Sequence, residues 1–227
     1  MHLTLTHRRI LERVVNAFET GKADGDYGAV SIYKDGPHDI AQITYGRSQT
    51  TEFGNLRGLV QDYAAARGRY SESLARYASV IGSRPLADDR EFRALLRSAA
   101  TDPVMRALQD HLFETRYYEP ALQWAHTHGL TFPLSALVVY DSFIHSGSML
   151  WVIRESFPEM LPVHGGGERT WITAYVRARD RFLAAHRRPV VRRTVYRTQC
   201  FLREIERGNW NLAMLPIDAN GVAVGLG

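Results

Sequence analysis

The hydrophobic pattern of the chain changes period within its first 45 residues, and that change limits the folds open to it. Ile10, Leu11, Val14, Val15 and Phe18 recur at the spacing of one helix face. Thr20-Gly21 predicts the stop, because glycine readily adopts the left-handed conformation that ends helices. Glu19 then falls in or just after the last turn, against the negative end of the helix dipole, which favours its protonated form. Two strand-like runs follow, at 29–33 and 40–45, separated by the turn signal Asp35-Gly36-Pro37-His38-Asp39. A helix followed by a β-hairpin thus opens the chain.

The remainder reads as helical, with helices expected at 56–67, 70–80, 88–99, 103–126, 134–145, 168–185 and 193–206. Asp102-Pro103 supplies an N-cap and a first-turn proline. Residues 134–144 are apolar nearly all round, which predicts a central buried helix. Val163-His164-Gly165-Gly166-Gly167 suits a hinge between lobes. The expected fold is α+β, mainly α.

The chain has 227 residues, 45% of them hydrophobic, enough for one substantial core or two small lobes. No apolar run reaches the roughly 18 residues of a membrane span. Met1 to Leu11 has no continuous apolar stretch and no small-residue cleavage site, so no secretory signal is visible. Cys200 is the sole cysteine, which excludes an internal disulfide and a multi-cysteine metal site.

Charge is uneven. From Glu19 to Glu52 there are six acids and three bases; from Gly167 to Trp210 there are eleven arginines and four acids. Such a basic segment can serve an anionic partner, or its buried arginines can organise a carboxylate site. No nucleic-acid motif accompanies it, and no nucleic-acid or membrane partner is expected.

Paired carboxylates are the usual means of cutting a glycosidic bond: one protonates the leaving oxygen, the other activates water or attacks directly. Glu19 at a helix end and Asp35 in a hairpin turn are placed to face each other across a cleft. The alternative for both is a solvated surface carboxylate.

The stretch Ala17-Phe18-Glu19-Thr20-Gly21, then Tyr27-Gly28, Ser31-Ile32-Tyr33-Lys34-Asp35-Gly36-Pro37 and Gln42-Ile43-Thr44-Tyr45-Gly46, resembles the active-site segment of family 46 chitosanases. It is also similar to the helix–hairpin core of phage lysozymes. The likeness continues through Tyr140-Asp141 with His145, Gly166-Gly167-Glu168 with Thr170, Ala178-Arg179, and Gly208-Asn209-Trp210-Asn211-Leu212.

The resemblance implies a lysozyme-like, two-lobed single domain over residues 1–227, with an N-terminal helix-plus-hairpin lobe and a C-terminal helical lobe. It implies Glu19 as general acid and Asp35 as the residue acting on water, with Asp39 as a competitor. It further implies a buried charge network of Asp141, Arg179 and a second arginine, Arg197 or its rival Arg203. The family's water-positioning threonine has no direct counterpart; Gln42 and Thr44 are the candidates. Tyr33, Asp39, Gln42, Thr44 and Arg47 are expected to contact sugar, with Ser48, Gln49 and Thr50 beside them. Tyr27, Tyr33, Tyr45 and Trp151 are either sugar platforms or core.

The expected activity is endo-hydrolysis of β-1,4 linkages in chitosan with inversion, which needs carboxylates about 6.5–9.5 Å apart. No metal or cofactor is required. A muramidase acting on peptidoglycan is the alternative, favoured by the sequence pI of about 9.3; a non-enzymatic polymer-binding protein is more remote. The expected target is extracellular or periplasmic and the expected state a monomer.

Overall fold

The computed structural model describes residues 2–47 and 49–226. Ser48, named above as a sugar contact, lies outside the described residues. The fold is mainly helical with small antiparallel sheets. The chain groups into two compact units: residues up to Asp24 with those from Thr115 onward, and Gly25–Glu114. The contacts of the first helix group it with the later helices.

In the first unit, α1 (Leu5–Thr20) opens with a reciprocal cap. Thr4 Oγ1 accepts from the His7 amide at 3.2 Å, and His7 Nδ1 accepts from the Thr4 amide at 3.3 Å. It closes at Gly21, whose φ of 70° lets its N–H reach the Ala17 carbonyl at 2.9 Å. The chain resumes in this unit with α6 (Glu119–Thr127), α7 (Pro133–Ser146), α8 (Trp151–Arg154), α9 (Glu168–Ala184), α10 (Pro189–Arg192) and α11 (Tyr196–Glu206). As the all-round apolar pattern predicts, α7 is buried from Pro133 through Ser142. α1, α6, α9 and α11 pack against it. The C-terminal hairpin of β4 (Ile217–Ala219) and β5 (Val222–Val224) lies on α1, and β4 also packs on α11.

The second unit holds β1 (Val30–Lys34), β2 (Ala41–Tyr45) and β3 (Thr50–Thr51) in sequential antiparallel order. Ile32 pairs with Ile43 and Tyr33 with Gln42. The helices α2 (Leu56–Ala65), α3 (Ser71–Ala75), α4 (Arg90–Ala99) and α5 (Pro103–Phe113) complete it. Its core joins Ile43 and Tyr45 of β2 to Leu59, Tyr63, Phe92 and Leu96. The Asp102 cap forms as expected, accepting from the Val104 amide at 3.0 Å, and it also accepts from the Tyr63 hydroxyl and the Arg69 amide, both at 2.6 Å. Gly46, at φ 77°, lies so close to Gln109 that an added Cβ would meet Oε1 at 2.3 Å. Gln109 thereby accepts from the Arg47 amide and donates to the Tyr27 carbonyl, both at 3.0 Å.

Two expected helices differ. The run at 103–126 is interrupted by a wide turn at Glu114–Tyr118. Pro120 lacks an N–H and its ring crowds the carbonyl four residues back, so the helical ladder shifts there. The run at 70–80 is helical only over Ser71–Ala75; beyond it Tyr77, Ala78 and Val80 donate three residues back, in successive tight turns.

Candidate active site

Asp141 sits on the buried stretch of α7 with its side chain fully enclosed. A carboxylate there cannot remain ionised without partners, because burial strips its hydration. Two arginines supply them. Arg179 Nη1, from α9, donates to Asp141 Oδ2 at 2.7 Å, and Arg197 Nη1, from α11, donates to Oδ1 at 2.6 Å. Arg197 Nη2 reaches in the other direction and donates to Glu19 Oε1 at 2.5 Å. The Glu19 side chain is 10% exposed and that of Arg197 is 4% exposed. The order Glu19–Arg197–Asp141–Arg179 is therefore a continuous buried chain of alternating charge.

The second arginine is Arg197. It lies on the buried face of α11 with Thr198, Cys200, Phe201 and Glu204. Its rival Arg203 lies off that face and meets the exposed Asp218 at 3.5 Å. The Arg197 guanidinium also sits 5.3 Å from the Phe18 ring centre and 5.6 Å from that of Tyr196. The Tyr196 hydroxyl donates to the Phe18 carbonyl at 3.1 Å, tying α11 to the residue before Glu19.

These surroundings push the two carboxyls apart. Burial raises the pKa of Glu19; the Arg197 charge and hydrogen bond oppose this in part, and the negative charge of Asp141 adds to the rise. Burial acts on Asp141 in the same sense, but Arg197 and Arg179 together outweigh it and hold that carboxyl below its ordinary range. His145 is pushed down to about 3, first by burial and then by the Arg197 and Arg179 charges, so it is neutral. The protonated form of one carboxyl and the ionised form of its neighbour are thus the ones favoured.

In the second unit Asp35 leaves the end of β1, partly buried, and accepts from Gln42 Nε2 at 2.8 Å. Gln42 is 5% exposed and Thr44 is 4% exposed. The Thr44 hydroxyl donates to Gln49 Oε1 at 2.9 Å. Tyr33 and Asp39 are exposed, and both His38 and Asp39 have positive φ, 54° and 58°. Arg47 is buried: Nη1 donates to Asp110 Oδ1 at 2.5 Å and the guanidinium lies 4.6 Å from the Phe113 ring centre. These contacts anchor Arg47 in the turn after β2. Tyr45 is core and its hydroxyl donates to the Leu96 carbonyl at 2.8 Å. Tyr27 donates to Asp110 at 2.8 Å, whereas Trp151 stands 70% exposed on α8.

The predicted site residues thus fall into two sets, Glu19, Asp141, Arg179 and Arg197 in the first unit and Asp35 and Gln42 in the second. Sequence reasoning missed Tyr196; its adjacency to Arg197 was the available signal. Among the described residues no group of three or more His, Cys, Asp or Glu gathers as a metal would require. No helix among them is long and apolar enough to cross a membrane.

The family model for glycosyl hydrolase family 46 matches residues 13–217. A chitosanase of Bacillus subtilis strain 168 is 27% identical over 191 residues, which cover 78% of this chain and 67% of that relative. Among solved structures, a family 46 chitosanase of Gynuella sunshinyii in complex with chitotetraose superposes with a TM-score of 0.84 at 20% identity, covering 98% of each chain. A glutamate-to-alanine variant of a chitosanase from Bacillus subtilis MY002, complexed with six glucosamine units, gives 0.80 at 24% identity over 94% of each chain.

Proposed function

The chain belongs to glycosyl hydrolase family 46, and on that premise we propose that it cleaves β-1,4 linkages within chitosan chains by an inverting acid/base mechanism. The observation that carries the proposal is the Glu19 carboxyl: nearly enclosed, raised in pKa chiefly by burial, and held in one orientation by Arg197. Glu19 protonates the departing glycosidic oxygen. Asp35 accepts a proton from the water that attacks the anomeric carbon on the opposite face. Asp141 and Arg179 do not touch substrate; they hold Arg197, and through it Glu19. Tyr33, Asp39 and Trp151 are exposed and available to sugar. The exposed Asp24 and Asp39 and the half-buried Asp26 and Asp35 suit a polycationic polymer. An extracellular or periplasmic place of action and a monomeric state accompany this reading.

The test is Glu19→Gln. The amide oxygen can still accept from Arg197, so the fold should persist, while loss of the acid should lower turnover of chitosan by at least about 10²-fold. Reducing-sugar release from chitosan is measured beside turbidity loss of bacterial cell walls. Parent-like activity in the variant sinks the acid assignment, and clearing of walls without release from chitosan moves the substrate to peptidoglycan. NMR of the first-formed anomer decides the stereochemistry: a β-product rules out inversion.

A further inference from the structure

We infer that Gln42 is a positioning residue for Asp35, fixing which oxygen of that carboxylate is left to take the proton from water. The inference rests on the reading of Asp35 as the base.

The Gln42 amide is held at both ends. The Phe53 backbone N–H donates to Gln42 Oε1 at 3.3 Å, and Gln42 Nε2 donates to Asp35 Oδ1 at 2.8 Å. A donor on one side and a carboxylate on the other leave only one orientation for the amide. The side chain is 5% exposed, so water does not readily replace either contact.

The anchor is itself rigid. Phe53 follows Glu52, which is 1% exposed and accepts from the Ile43 amide at 3.1 Å and the Leu86 amide at 2.7 Å. Fixation therefore runs from the core through Glu52 to the Phe53 amide, then through Gln42 to Asp35. The strand register brings the last link together. Gln42 lies opposite Tyr33, and Asp35 is two residues further along the same face.

With Oδ1 occupied by the amide, Oδ2 is the oxygen left for the water proton. A carboxylate free to rotate would present both oxygens and spend part of its time misaligned. Glutamine alone among common residues meets both neighbours at this length. Glutamate keeps the Phe53 contact but sets a second anion against Asp35; leucine removes both contacts at similar volume. Thr44, the other candidate for the water-holding role, is already engaged with Gln49.

The experiment is a double-mutant cycle on chitosan hydrolysis, with Gln42→Leu made in the parent and in Asp35→Asn. In the parent, kcat should fall about ten- to hundred-fold, the loss expected for one hydrogen bond to a charged group, with KM changed by less than about three-fold. In the Asp35→Asn background the same substitution should lower the residual kcat by less than about two-fold. Gln42→Glu, which keeps the Phe53 contact and so tests the idea if leucine unfolds the hairpin, should move the acid limb of the kcat–pH profile upward. Equal losses in both backgrounds would overturn the inference, as would a raised KM with unchanged kcat. A parent-like Asp35→Asn enzyme would remove the base assignment and Gln42's role with it; an inactive Asp35→Asn beside a parent-like Gln42→Leu would remove only Gln42's.

Discussion

Removing Arg197 and removing Asp141 should harm the protein unequally, and the order follows from which orphan can shed its charge. In Arg197→Met, Glu19 loses its partner but can keep its proton, and Asp141 still has Arg179. Breaking a buried pair costs about 3–5 kcal/mol, and this case belongs at the lower end, about 3 kcal/mol. In Asp141→Asn one amide oxygen is left for two guanidiniums, and Arg179 loses the only carboxylate it pairs with among the described residues. A guanidinium cannot deprotonate, and the Arg179 side chain is 1% exposed. That case belongs at the upper end, about 5 kcal/mol. For a chain of this size each kcal/mol shifts the melting temperature by about 2–4 °C, so the expected falls are about 6–12 °C and about 10–20 °C. Thermal melts followed by circular dichroism at neutral pH measure both. Activity adds a second readout for Arg197→Met. The guanidinium holds the Glu19 pKa down, so its loss lets Glu19 stay protonated to higher pH, and the alkaline limb of kcat/KM should move up. If Asp141→Asn melts above Arg197→Met, or both melt within about 2 °C of the parent, the network does not contribute as argued.

Other outcomes follow from the same geometry. His145 folds neutral because its pKa is pushed from 6.5 to about 3, so its contribution to stability is present above 6.5 and lost as pH falls toward 3; His145→Asn should flatten that slope in urea titrations across pH. Asp141, also lowered, gives a loss of the same sense at lower pH, whereas Glu19, raised, favours folding below the unfolded carboxylate range and loses that contribution as pH rises through its folded value. Glu52→Gln leaves the Ile43 and Leu86 amides to share one carbonyl and should cost about 1–3 kcal/mol by denaturant unfolding. Gly46→Ala forces a left-handed alanine and displaces Gln109 from two backbone contacts, for about 2–4 kcal/mol. Arg203→Ala touches only an exposed pair and should leave the melting temperature within about 2 °C of the parent.

Much of this was readable where residue type and period agree. The end of α1 was legible because Gly21 follows an apolar face, and β1 and β2 because the turn at Asp35–Asp39 separates two alternating runs. The burial of α7 followed from its unbroken apolar surface. Short elements escaped, since β4, β5 and α8 have three or four residues and no period can be established over so few. The Asn220-Gly221 pair was the signal for the C-terminal hairpin. At the site, the resemblance put Arg197 ahead of its rival Arg203. They lie six residues apart on one helix, and only the packing of α11 decides which faces inward. The anchoring of Arg47 was hidden for a related reason: an arginine after a strand reads as surface until Asp110 and Phe113, distant in sequence, are seen to receive it.

The alternating chain from Glu19 to Arg179 has a consequence over a whole turnover. With Glu19 protonated, two guanidiniums and the Asp141 carboxylate leave one net positive charge among the four side chains; once Glu19 has given up its proton, the sum is zero. Electroneutrality is reached only after the bond has been cut. The net positive charge eases the proton's departure, while burial, which raises the Glu19 pKa, draws a proton back once the product has left. The same enclosure thus serves both halves of the cycle, donation and recharging from solvent.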